Sequence, residues 1–212
     1  MYSMRAPSAD KGRQRSISLV SKAIAVTKVL RREYGSPRHN NKTDPLDELV
    51  FIVLSQMTTF RSYERVFERL KVAAPRWVDV LQMPTSQLKA LIKDAGLSNQ
   101  KAPRIKAMLK AITLDFGSPS LKRLGGMSTK AAEEYLISLP GVQRKTAKCV
   151  LMYSLKRKVL PVDTHTLRVS RRLGLTSEVA IGTRVHMSLE ALFPSHLRYS
   201  YHVNALAHGR TV

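Results

Sequence analysis

The residue types with the most chemistry in them fall in one short stretch. Leu139-Pro140-Gly141-Val142-Gln143-Arg144-Lys145-Thr146-Ala147-Lys148 is followed shortly by Pro161-Val162-Asp163-Thr164-His165. An amine, a carboxylate and a run of backbone amides able to meet phosphate are thus brought into one segment. Lys145 falls in the first turns of a predicted helix, among Arg144, Lys148 and the positive end of the helix dipole, and each of these disfavours an extra proton on its amine. A lysine so placed can act as a nucleophile. Asp163 follows Pro161 and precedes the apolar-periodic run Leu167, Val169, Ser170 and Leu173. It therefore stands at a helix start, where a carboxylate either caps the helix or faces a cleft.

Two helices and a turn must position these groups. Residues 130–138 suit a helix, Pro140-Gly141 breaks it, and the stretch from Gln143 to Ser154 carries Ala147, Val150, Leu151 and Ser154 at helical spacing. Gly141 lets the backbone come close to a partner, and the amides of residues 141–146 open the second helix, where an anion such as phosphate is favoured. Arg144 and Lys148 add charge beside it. Cys149 falls on the apolar side of that helix and reads as a buried structural thiol.

Helix-period patterns run through the rest of the chain. Leu46-Leu49-Val50-Val53-Leu54, Tyr63-Val66-Phe67-Leu70, Leu88-Leu91-Ile92, Ile105-Met108-Leu109-Ile112 and Val185-Leu189-Leu192 each repeat at helical spacing, and no strand-type alternation competes with them. The fold class is all-α, with loops at Pro75, Pro84, Gly96, Gly117-Ser118-Pro119 and Gly125-Gly126. Residues 1–16 are basic and polar and are expected to be a disordered tail. Residues 17–34 are expected to form a basic amphipathic helix around Ile17, Val20, Ile24, Thr27, Val29 and Leu30.

The 212 residues carry a formal charge of +21 and a pI near 10.6, and 43% are hydrophobic. The chain is long enough for a real core, and its charge suits a phosphate polymer, with strong salt dependence. Charge alone does not choose among DNA, RNA and acidic membranes. No run of 18 apolar residues and no secretory signal is present, so no membrane partner is expected. The six histidines are scattered and form no metal-binding spacing.

Taken together, the string Leu139-Pro140-Gly141-Val142-Gln143-Arg144-Lys145-Thr146-Ala147 with Pro161-Val162-Asp163-Thr164-His165 and Arg168 resembles the helix-hairpin-helix DNA glycosylases of the endonuclease III type. The resemblance covers about residues 44–212. Asp44-Pro45-Leu46 through Ser55-Gln56 is similar to the family's opening helix and the segment bordering its base pocket. Asp94-Ala95-Gly96-Leu97 with Lys101-Ala102 is similar to another of its segments, and His208-Gly209-Arg210 to its closing one.

This resemblance implies two helical domains, residues 45–157 with the hairpin and residues 17–44 plus 158–212, with a cleft between them and Lys145 and Asp163 on opposite walls. It implies that Lys145 attacks C1′ of the deoxyribose while Asp163 assists, and that Leu97 enters the duplex where the base has left. Leu139, Gly141, Gln143, Arg144, Thr146, Lys148 and Gln56 match positions that meet DNA. The implied activity is base-excision repair with AP-lyase cleavage on double-stranded DNA carrying damaged, chiefly oxidised pyrimidine, or abasic sites. A monomer in the cytoplasm, associated with the nucleoid, is expected. A monofunctional glycosylase of the same superfamily and a non-catalytic DNA-binding paralogue stay open as other readings.

Three departures from the pattern stand out. Many relatives hold a [4Fe-4S] cluster on four cysteines just after the His-Gly-Arg segment, whereas Cys149 is the one cysteine here. No cofactor is therefore expected from residues 1–212, and a cluster only if the chain continues. Gln143 stands where a second hairpin glycine is common. Met57 and Phe60 stand where glutamine and aspartate are common, and His165 reads as a structural hydrogen-bonder beside Asp163.

Overall fold

The computed structural model describes residues 9–35, 37, 40–177 and 182–211, with side chains described from residue 18 and, after the gap, from residue 184. Every regular element among them is helical. In chain order these are α1 (Ala9–Tyr34), α2 (Pro45–Ser55), α3 (Phe60–Ala73), α4 (Trp77–Gln82), α5 (Thr85–Leu91), α6 (Ser98–Phe116), α7 (Thr129–Ser138), α8 (Arg144–Tyr153), α9 (Thr164–Arg172), α10 (Gly182–Leu192) and α11 (Arg198–Thr211). Short 3-10 turns cover Lys93–Ala95, Lys122–Gly126 and Ser195–Leu197.

Local chemistry sets several helix starts. The Asp44 side chain accepts from the amides of Leu46 at 2.9 Å and Asp47 at 3.1 Å, with Pro45 as the first residue of α2. Ser128 caps α7 through the Ala131 amide at 3.2 Å. Helix α6 ends on Gly117 at φ +76°, a left-handed C-terminal residue for which glycine carries no Cβ penalty.

The chain divides into two compact units, residues 1–38 with 158–212 and residues 39–157. In the second unit, α2 is the central element: Leu46 and Leu49 through Leu54 are all buried, and it packs on α3, α6 and α8. Ile105, Met108, Leu109 and Ile112 of α6 supply the facing apolar surface. In the other unit, α11 packs on α1 and α9. There Tyr201 stacks on Phe193 with ring centroids 3.9 Å apart, and its hydroxyl meets that of Ser170 at 2.6 Å.

Two boundaries differ from the expectation. Helix α1 begins at Ala9, inside the stretch read as a disordered tail, while residues 1–8 lie outside the described residues. Residues 9–16 lack apolar periodicity, so the helix there is a basic extension of the amphipathic part. On the apolar stripe, Ala23, Thr27 and Leu30 are buried, but Val29 is exposed; the side chain of Ile17 is outside the described set. The residues from Asn40 to Asp44 belong to the unit that contains α2, not to the α1 unit. Asn41 and the Lys42 amide bond Glu48 of α2 and tie this segment down.

Candidate functional site

The turn between α7 and α8 is closed by the Val142 amide donating to the Leu139 carbonyl at 3.1 Å, with Gly141 at φ +74°. Proline followed by a left-handed glycine suits a type II turn. Glycine is favoured here by its left-handed conformation, and a Cβ on Gly141 would come within 2.5 Å of Nε and 2.7 Å of Cδ of Arg104, so that side chain would have to move. The side chain of Arg104, in α6, lies against the turn and donates from Nη1 to the Gln56 side-chain oxygen at 3.1 Å. Gln143 at the start of α8 makes no side-chain cap. That is the condition under which an outside anion can take the capping place.

Lys145 sits in the first turn of α8, half-buried. Across the packed α2–α8 pair lies Glu48, which sequence reading passed over because its neighbours Leu46, Leu49 and Val50 dominate the pattern. Glu48 is completely buried, and its two carboxylate oxygens accept from the Asn41 side chain and the Lys42 amide, each at 2.6 Å. Burial pushes its carboxyl up from 4.5 to about 7, opposed by those two hydrogen bonds and by the charges of Lys145 and Lys42. A buried acid within electrostatic range of the candidate nucleophile is therefore part of this site.

The cation pair expected to flank the hairpin is arranged differently. Lys148 is only 3% exposed, as is the whole stretch of α8 from Thr146 to Tyr153 nearly so, because this stretch faces the protein. Its charge is not presented to an approaching polymer. Arg144 is half-buried and its Nη1 is ion-paired with the Glu133 carboxylate of α7, which ties the two hairpin helices together. Thr146 and Leu139 are buried as well, which leaves Pro140, Gly141 and Gln143 as the exposed surface of the turn.

Gln56 is half-buried at the end of α2, and Leu97 is 46% exposed at φ +52°, just before α6. Met57, beside Gln56, is 88% exposed at φ +54°. Lys101 was read only as part of a Lys-Ala segment, yet it is 2% exposed and sits beneath both of these tips. Its Nζ donates to the carbonyls of Leu54 at 2.7 Å, Gln56 at 2.6 Å and Ala95 at 2.7 Å.

In the other unit, Asp163 starts α9, and its Oδ1 accepts from the Thr166 amide at 2.7 Å. Residues Thr164, Leu167, Arg168, Arg171 and Arg172 of the same helix line an open groove. His165 bonds through Nδ1 to the Gly209 carbonyl at 2.7 Å, and Arg168 donates to the same carbonyl. A Cβ at Gly209 would lie 2.8 Å from that of His165. The His208-Gly209-Arg210 segment is thus a close α9–α11 contact, and His165 is structural, as its position suggested.

The model of the HhH-GPD superfamily of base excision DNA repair proteins matches residues 50–194. The chain belongs to that superfamily. Among curated HhH-GPD relatives, a candidate DNA glycosylase of Arabidopsis thaliana is 33% identical over 165 residues, 78% of this chain and 56% of that protein. Endonuclease III of Thermotoga maritima is 36% identical over 138 residues, 65% of this chain and 61% of the enzyme. The matches therefore span little more than half the length of these relatives. Among solved structures, a non-covalent endonuclease III–DNA complex aligns with TM-score 0.77 and 26% identity, covering 90% of this chain and 86% of that one. A thermostable thymine-DNA glycosylase aligns with TM-score 0.76 at 22% identity over 91% and 88% of the two chains, a likeness of fold.

Residues 1–212 do not by themselves supply the donors of the iron-sulfur cluster that many HhH-GPD proteins carry. Such a cluster needs four thiolates, and Cys149, buried in α8, is the one cysteine of the sequence. Among the described residues no group of three or more His, Cys, Asp or Glu side chains could hold a metal ion.

Proposed function

We propose that this HhH-GPD chain is a DNA glycosylase with AP-lyase activity, acting on damaged bases, oxidised pyrimidines first among them, in double-stranded DNA. The observation that carries the reading is Lys145, an amine in the first turn of α8 directly behind the Gly141 turn. The turn's exposed backbone and the uncapped start of α8 suit a phosphate, which would set the sugar–phosphate chain beside that amine. The non-covalent endonuclease III–DNA complex among the structural neighbours supports DNA as the partner.

In the proposed reaction the damaged base first leaves the stack, at a cost that a poorly paired lesion reduces by a few kcal/mol. The neutral Lys145 amine attacks C1′ while the glycosidic bond breaks and its electron pair leaves with the base. The Asp163 carboxylate offsets the positive charge that grows on the sugar. The sugar ring opens to a Schiff base, which acidifies C2′. Loss of a C2′ proton then expels the 3′ phosphate and cuts the strand. An amine, a carboxylate and water are sufficient for every step.

Borohydride trapping on duplex DNA with an oxidised pyrimidine or an abasic site tests this directly. The wild-type protein forms a covalent adduct, and Lys145→Gln does not. Strand cutting by Lys145→Gln at the wild-type rate defeats the assignment.

A further inference from the structure

Two exposed apolar side chains in this protein stand on backbone that folding alone disfavours. Met57 and Leu97 have φ of +54° and +52° and are 88% and 46% exposed. A non-glycine residue in this region costs roughly 1–2 kcal/mol, so each position needs something that holds it. The two tips belong to segments about forty residues apart, the one leaving α2 and the other entering α6. Thr58 joins them by donating to the Ala95 carbonyl.

Beneath both lies Lys101. Its three ammonium hydrogens meet three carbonyls, those of Leu54 and Gln56 on the Met57 side and Ala95 on the Leu97 side, all within 2.7 Å, with the Thr58 hydroxyl at 3.4 Å. One turn along α6, Arg104 holds the Gln56 side chain and lies against Gly141 of the hairpin turn. A single helix thereby fixes the spacing from the two tips to the turn proposed to grip phosphate.

We propose that Lys101 is a positioning residue that clamps the Met57 and Leu97 loops into one rigid element, which enters duplex DNA at a vacated base position. The proposal rests on the reading that Leu97 enters the duplex. Replacing the ammonium by an apolar side chain takes this donor from the Leu54 and Gln56 carbonyls and leaves the Thr58 bond to Ala95 as the remaining tie between the loops.

Titration should loosen the clamp in the same way. Burial, and to a lesser degree the Arg104 charge, push the Lys101 amine down to about 8. The 3-10 turn that supplies the Ala95 carbonyl also carries Lys93 and Asp94, the latter ion-paired with Arg69 of α3 at 2.8 Å. At neutral pH the group is an ammonium with three donors. Above about pH 8 it becomes an amine with two donors for three carbonyls.

The test uses the full chain and a duplex with a tetrahydrofuran abasic analogue opposite 2-aminopurine, whose fluorescence rises when it is unstacked. The wild-type protein raises the signal at pH 7 and loses most of that rise by pH 9, measured against binding to an intact duplex at each pH. Lys101→Met binds the abasic duplex about tenfold more weakly, with little change for the intact duplex, and its signal is insensitive to pH. Leu97→Ala separates the two readings. If Leu97→Ala gives the full rise, the duplex-entry reading falls and the clamp with it. If Leu97→Ala loses the rise while the wild type keeps it to pH 9, or a folded Lys101→Met matches the wild type, the clamp alone is overturned. Should Lys101→Met not fold, the wild-type pH series decides.

Discussion

Asp163 has two roles that a single substitution can pull apart. Asparagine still accepts the Thr166 amide but carries no charge, so Asp163→Asn should keep thermal stability within about 1 kcal/mol. Base release should slow by about a hundredfold, read in single-turnover assays, because the carboxylate no longer offsets charge on the sugar. A variant that turns over normally but melts far earlier would show Asp163 to be a cap alone. Glu48 makes a different prediction, about stability and pH. Its folded-state pKa of about 7 exceeds its ordinary 4.5, so the native state holds this proton more tightly than the unfolded chain. The stabilisation is fully present below about pH 4.5 and is lost as pH climbs to about 7, up to about 3 kcal/mol in all. Glu48→Gln removes that slope, so the stability difference between variant and wild type should shift in the variant's favour between pH 4 and 8 in urea titrations. An unchanged difference across that range would mean that Glu48 ionises as a solvated carboxylate.

At the level of elements, the hairpin turn is the sharpest case. Gly141→Ala adds a left-handed alanine, about 1–2 kcal/mol, and a Cβ that displaces Arg104 from its bond to Gln56. We expect a loss of roughly that size in unfolding experiments together with weaker binding to any duplex, damaged or not. The helices themselves were legible from sequence wherever apolar spacing and a cap agreed. Asp44 before Pro45, and Asp163 before Val169, marked true helix starts. The buried ions were not legible. Lys101, Lys148 and Glu48 are residue types expected at the surface, and sequence carries no mark of the carbonyls and amides that receive them. Lys148 was read as a phosphate contact from its proximity to Arg144, and the two do share a side of α8, but one turn further on the helix is packed all round and Lys148 is buried with its neighbours. Arg144 itself is tied to Glu133, a partner eleven residues away whose pairing depends on the hairpin having already closed.

For the molecule as a whole, charge is the dominant fact. A formal +21 over 212 residues is far from neutral, and the proposed partner is a polyanion. With roughly six phosphates neutralised, affinity for DNA should fall about a thousandfold between 50 and 200 mM salt. An affinity that hardly changes over that range would contradict a backbone grip. The all-helical class was readable from periodicity, and membership in the HhH-GPD superfamily from the resemblance that the hairpin and flanking motifs carry. The joining of a distant N-terminal helix to residues 158–212 was not readable from periodicity, which is local. That pairing depends on contacts such as Tyr34 with His208, whose hydroxyl and Nδ1 lie 2.8 Å apart across 174 residues of chain.

The nearly complete exposure of Met57 also has a redox consequence. Peroxide converts a thioether to a sulfoxide, a polar group of similar size, and does so fastest where the sulfur is open to solvent. A protein proposed to meet oxidised DNA thus carries an oxidisable atom on an exposed tip. Mild peroxide treatment should weaken abasic-duplex binding by the wild type and spare Met57→Leu, and methionine sulfoxide reductase should restore what was lost. The tip would then work as a fuse, disengaging the protein from DNA during oxidative stress and resetting once reducing conditions return.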